Sequence, residues 1–92
     1  MKEIDVILIE LHSLLTELKN SGGTEELHVK IKALFARDNL LIQEIDDWDE
    51  MERVYKNAAK VAGMASYLFI EKDSEVREFF GLLGIGINEK KN

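Results

Sequence analysis

Three pairs of carboxylates stand one helical turn apart in this chain: Glu44 with Asp47, Asp49 with Glu52, and Glu75 with Glu78. Side chains three apart on a helix share a face, where two carboxylates can hold a divalent cation or a basic group between them. The first two pairs belong to a denser feature. Glu44, Asp46, Asp47, Asp49, Glu50 and Glu52 are six of the 18 acids, packed into nine residues with no base among them and with Trp48 in the middle. Like charges this close repel, so either a helix dipole or a basic partner must favour the arrangement. Elsewhere, Glu25-x-x-His28 has the spacing of a di-iron ligand pair, but such sites need two copies plus two further Glu, and His12 has no matching neighbour. Nucleophilic catalysis finds little support. There is no Cys, and Ser13, Ser21, Ser66 and Ser74 lie in no strand–turn–helix context. Gly81, Gly84 and Gly86 follow a helix rather than a strand and make no phosphate loop.

The elements that must position these residues are helical. The chain has 92 residues, no Pro, 46% hydrophobic and 33% charged residues, and a formal charge of −6. That is one globular domain, expected over residues 1–87 with a flexible tail at 88–92. The acidic balance argues against direct binding to nucleic acid along a basic face. No run without charge is longer than Val61 to Ile70, which is too short for a membrane span. With no basic, unbroken apolar leader at the start, the expected location is cytoplasmic, in a prokaryotic or viral setting.

Ile4, Leu8, Leu11, Leu15 and Leu18 alternate spacings of four and three, the seam of a first helix ending at Asn20-Ser21-Gly22-Gly23. Thr24 is placed to cap a second, with Leu27, Ile31, Leu34 and Phe35 on its apolar face. Asp38-Asn39 either ends that helix or lets it run on toward Ile45. Asp47 and Glu50 have capping-box spacing, with Asp for the usual Ser or Thr, and open a third helix that runs to Phe69. Asp73 or Ser74 caps a short fourth, which Gly84 and Gly86 end, leaving Ile85 and Ile87 to dock on the bundle. The fold class expected is all-α, a compact antiparallel four-helix bundle with three longer helices and a short C-terminal one. Leu11, Leu34, Ala62 and Phe79 are expected in its core.

Two faces then compete as binding surfaces. The acidic segment, with Glu44 before the helix start and Glu52 beyond its first turn, suits a protein partner with a basic surface; in an extreme form it would mimic nucleic-acid phosphates. Trp48 is expected to turn inward and staple the helix start to the core. The third helix also carries Ala59, Ala62, Gly63 and Ser66, a small-residue face for close packing within the chain or for a homodimer seam. Gly63 costs about 1 kcal/mol against Ala in a helix, which points to a tight contact there. Arg53, Lys56 and Lys60 form a basic stripe on the same helix, suited to pairing one turn away.

The carboxylate pairs resemble, in spacing alone, those of small all-α nucleotide pyrophosphohydrolases of the MazG type, which hold Mg²⁺ on two adjacent helices; the order of that family's acidic motifs is not matched. The stretch from Asn57-Ala58 through Ser66-Tyr67-Leu68 to Phe79-Phe80-Gly81-Leu82-Leu83 is similar in pattern to the immunity proteins that protect bacteria from their own pediocin-like bacteriocins. That resemblance implies a cytoplasmic four-helix bundle with a short last helix. It covers the C-terminal third and carries over no site residue, and the acidic charge departs from the basic character of many members. The residues themselves favour a non-enzymatic protein-binding module, a regulator, inhibitor or adaptor, with no cofactor and no metal.

Overall fold

The spacing of apolar residues builds four helices in the computed structural model, which describes residues 1–68 and 73–84: α1 (Glu3–Ser21), α2 (Glu25–Gln43), α3 (Trp48–Leu68) and α4 (Ser74–Leu82). No strand occurs among the described residues. The end of α1 follows from Gly22, whose left-handed backbone (φ 81°) lets its N–H donate to the Leu18 carbonyl. Two residues on, the Thr24 hydroxyl accepts from the Leu27 N–H at 3.2 Å and starts α2. The expected third-helix end at Phe69, the docking of Ile85 and Ile87, Gly86 as a helix stop and the tail 88–92 lie outside the described residues.

α2 does not stop at Asp38-Asn39; it runs to Gln43. Both polar side chains turn inward, and Asn39 Nδ2 donates to the Glu75 carbonyl of α4 at 3.0 Å. Asn39, half of the pair that reads as a break, is therefore a polar tie between α2 and α4.

Ile4, Leu8, Leu11 and Leu15 of α1 meet Ile31 and Phe35 of α2, Val54, Ala58 and Ala65 of α3, and Val76 and Phe79 of α4 in one core. Phe35 and Phe79 pack edge to face with centroids 5.0 Å apart. Of the four residues expected inside, Leu11, Ala62 and Phe79 are buried, and Leu34 is half-buried against the core.

Successive helices alternate in direction. Arg37 on α2 pairs with Glu3 on α1, far end to near end, so those two run antiparallel. α1 also packs closely on α3, and these two are parallel. Lys2 meets Glu50, Asp5 meets Arg53 and Thr16 meets Met64, each pair 48 residues apart. Lys19 over the Tyr67 ring keeps the same offset. α4 runs along α2, with Asn39 on Glu75 and Gln43 on Glu78, and touches α3 more lightly. The acidic segment thus sits at one corner, where α2 ends, α3 starts and α1 begins.

Candidate protein-binding surface

The corner is built from helix ends. Asp47 caps α3 as its spacing predicts, its Oδ2 accepting from the Glu50 N–H at 2.8 Å. The Glu50 carboxylate accepts from Arg53 and Lys2, each at 3.1 Å. Those two bonds, Arg53 first, hold the Glu50 carboxyl below its ordinary pKa. Arg53 also donates to Asp5, at 2.8 Å, and its guanidinium is raised above its ordinary value by the bonds to Asp5 and Glu50. Two of the six clustered acids are therefore committed inside the chain, Asp47 to the helix start and Glu50 to an ion network. Arg53, expected as part of a basic stripe, belongs to that network.

Glu44, Asp46, Asp49 and Glu52 are exposed, and none of them makes an ion pair among the described residues. Glu44, Asp46 and Asp47 line an open cleft of about 500 Å³, closed on the other side by Lys2, Glu3 and Ile4. The dipole at the start of α3 accounts for Asp49 and less for Glu44 or Glu52, which lie before the cap and past the first turn.

Trp48 overturns its expectation. It is 79% exposed rather than folded inward. The 48-residue offset explains why. Glu3, the first helical residue of α1, stands level with Met51, so Trp48 lies about a turn beyond the start of its neighbour and has no α1 surface to cover it.

The small-residue face divides as well. Ala62 is buried, Ala59 is half-buried, and Gly63 and Ser66 are exposed. A Cβ placed on Gly63 would meet nothing within 4 Å among the described residues, so the tight contact expected there is not made with any of them. Gly63 points away from the inward face that Val54, Ala58, Val61 and Ala65 define. With Ala59, Met64, Tyr67 and Lys19 it lines a shallow groove of about 520 Å³.

The metal readings find no geometric support among the described residues, where no three of His, Asp and Glu gather around a common point. Of the spaced pairs, Asp47 is a cap, Glu78 accepts from Gln43 at 3.1 Å, and Glu75 accepts from Ser74 at 3.3 Å. Ser66 and Ser21 bond back to carbonyls of their own helices. His12 lines a small groove between α1 and α3 with Asn57 and Lys60. No helix among the described residues is long and apolar enough to cross a membrane.

One group escaped the sequence reading. Asp38 is fully buried in α2 with neither carboxylate oxygen hydrogen-bonded, and burial pushes its pKa up to about 7. Its position on the inward face, seven residues after Ile31 and three after Phe35, was the available signal. Comparison with protein-family models, curated proteins and solved structures returns no match.

Proposed function

We propose that the chain is a cytoplasmic protein-binding module, a regulator, inhibitor or adaptor, that takes a basic segment of a partner into the acidic cleft beside Trp48. The observation that carries this reading is the 79% exposure of Trp48 among Glu44, Asp46, Asp49 and Glu52, which make no ion pair among the described residues. Trp is the residue type that most often anchors an interface, because it offers a large rigid apolar surface and one N–H. Exposed acids around it supply attraction at a distance, which acts on the rate of encounter and is screened by salt.

The test needs the partner, identified by pull-down from the native host, and then association and dissociation rates. Reversing Glu44 and Glu52 to Lys should slow association at low salt and leave the fold unchanged. Trp48→Ala should speed dissociation. A double reversal that binds as quickly as wild type, together with a Trp48→Ala that dissociates no faster, removes the corner from the interface.

A second reading is a homodimer through Ala59, Gly63 and Ser66. The open space over Gly63 supports it, since a helix interior keeps a costly Gly whose Cβ position meets none of the described residues. Light scattering over a range of concentrations tests it, and a monomer throughout rejects it.

A further inference from the structure

Pairs 48 residues apart make a ladder between α1 and α3, and its rungs change character along the groove between the two helices. At the first rungs charge is answered, Lys2 by Glu50 and Asp5 by Arg53. Seven residues on, His12 and Lys60 line a small hollow of about 230 Å³ with Ile9 and Asn57, over a floor of Leu8 and Val61. Seven further, Lys19 stands over the Tyr67 ring. Lys60 also lines the groove of about 520 Å³ that holds Lys19, Gly63 and Tyr67, so the two hollows adjoin.

No acid among the described residues lines either hollow. α3 has none from Arg53 to Leu68, and Glu52, the last before them, lies about two turns short of Lys60. On α1, Glu10 and Glu17 repeat Glu3 at intervals of seven and share the flank that Glu3 turns to Arg37 of α2. His12 and Lys19 repeat Asp5 at the same interval, on the flank that faces Arg53 of α3. The side chains of His12, Asn57 and Lys60 make no hydrogen bond or ion pair among the described residues. Lys60 brings a positive charge, and His12 and Asn57 each bring an N–H donor, to a place without a carboxylate. Apolar surface stands at both ends of this stretch, where Ile9 is 59% exposed and Tyr67 77%.

We propose that the α1–α3 groove docks an acidic amphipathic helix of another protein, with one carboxylate seated among His12, Asn57 and Lys60 and a second, seven residues along, on Lys19. The two basic rungs are about 10 Å apart along the helices, which is the rise of seven residues of a partner helix lying in the groove. Carboxylates at that interval complete both rungs at once. Between the rungs Gly63 leaves space for the partner to come close, and Ile9 and Tyr67 give its apolar positions something to pack on. A second copy is a poorer complement. Of its own acids at this interval, Glu3 is held by Arg37, and Glu10 stands level with Lys30, seven residues before Arg37 on the antiparallel α2. The groove shares no residue with the acidic corner. It does share Ala59 and Gly63 with the dimer seam of the second reading, so one occupant excludes the other.

The probe is a labelled three-heptad helical peptide with Leu along its seam and two Glu, seven apart, beside that seam. One twin has Lys in place of each Glu, and another carries the same two Glu on the face opposite the seam. Each is titrated against the full chain by fluorescence anisotropy. The first peptide should bind about tenfold or more tighter than either twin. Lys60→Glu and Lys19→Glu should each weaken it by a similar factor, with circular dichroism unchanged because both positions are exposed, while Trp48→Ala should leave it unaltered. No saturable binding, equal affinity for the first peptide and either twin, or indifference to Lys60→Glu overturns the proposal. So does a dimer in sedimentation equilibrium that Lys60→Glu dissolves, which would assign the groove to a second copy. Binding to phosphatidylglycerol vesicles that Lys60→Glu abolishes would assign it to a membrane and overturn it equally.

Discussion

Arg53 on α3 donates through Nη1 to Oδ1 of Asp5 on α1 at 2.8 Å, and the Asp5 side chain is largely covered where the arginine is half-exposed. The pair sits between two parallel helices, so it sets their register as well as their charge balance. A hydrogen bond to a charged group contributes about 1.5–3 kcal/mol. Asp5→Ala should cost close to the lower bound, about 1.5 kcal/mol, since Arg53 can turn to water and keep Glu50. Glu3→Ala removes a pair in which both side chains are about half-exposed and should lower the melting temperature less. Thermal melts of the two variants check the order, and equal losses would mean that burial of Asp5 adds nothing.

Asp38 makes stability depend on pH in an uncommon direction for a carboxylate. Its folded pKa, about 7, lies above the ordinary 3.8, because burial disfavours the charged form. Between those values the folded state holds a proton that the unfolded state has released, so stability falls as pH rises. The contribution is fully present below the unfolded value and is lost by the time pH passes the folded one. At about 1.4 kcal/mol per unit, the loss across the window is on the order of 4 kcal/mol. Asp38→Asn should therefore be more stable than wild type at pH 8, with the advantage shrinking toward pH 4. Denaturant melts at pH 4.5, 6 and 8 check this. A wild type as stable at pH 8 as at pH 4.5, measured against Asp38→Asn, would show that the carboxylate reaches water or a partner.

The helices were legible because their signals are local. The four-and-three spacing of Leu8, Leu11, Leu15 and Leu18, the left-handed Gly22, and the caps at Thr24 and Asp47 need only the residues around them. What escaped depends on which helix lies beside which. Parallel packing of α1 on α3 at a 48-residue offset is a property of the assembled bundle, and it alone leaves Trp48 uncovered and commits Glu50 to Lys2 and Arg53. The same holds for Asp38 and Asn39. Polar residues in mid-helix read as an ending until the bundle is seen to bury both, with α4 accepting a hydrogen bond from Asn39 alone. The acidic segment was visible as composition, but not which of its members the chain itself uses.

Trp48 offers a direct check on that corner. A buried Trp truncated to Ala typically costs about 3–5 kcal/mol, whereas a surface substitution stays within about 0.5 kcal/mol. With 79% exposure, Trp48→Ala should fall in the second class. Its fluorescence should be readily quenched by acrylamide in the native state. Destabilisation above about 2 kcal/mol, or protection from the quencher, would return Trp48 to the core. By contrast, Leu11 is fully buried, and Leu11→Ala should cost about 2–5 kcal/mol.

Gly63 distinguishes a solvent face from an interface. It stands inside α3, and a Cβ at its position would meet nothing within 4 Å. For an exposed helix interior, Gly is worse than Ala by about 0.8–1.0 kcal/mol, because its backbone loses more freedom on folding. Gly63→Ala should therefore stabilise the isolated chain by up to about 1 kcal/mol, measured by chemical denaturation at low protein concentration. If the Ala59–Gly63–Ser66 face packs against another molecule, the added methyl must intrude on that contact. The variant would then lose stability as concentration rises and the interface forms in wild type. A gain that is the same at all concentrations leaves Gly63 facing water, and a gain at low concentration that turns to a loss at high concentration makes this face a dimer seam.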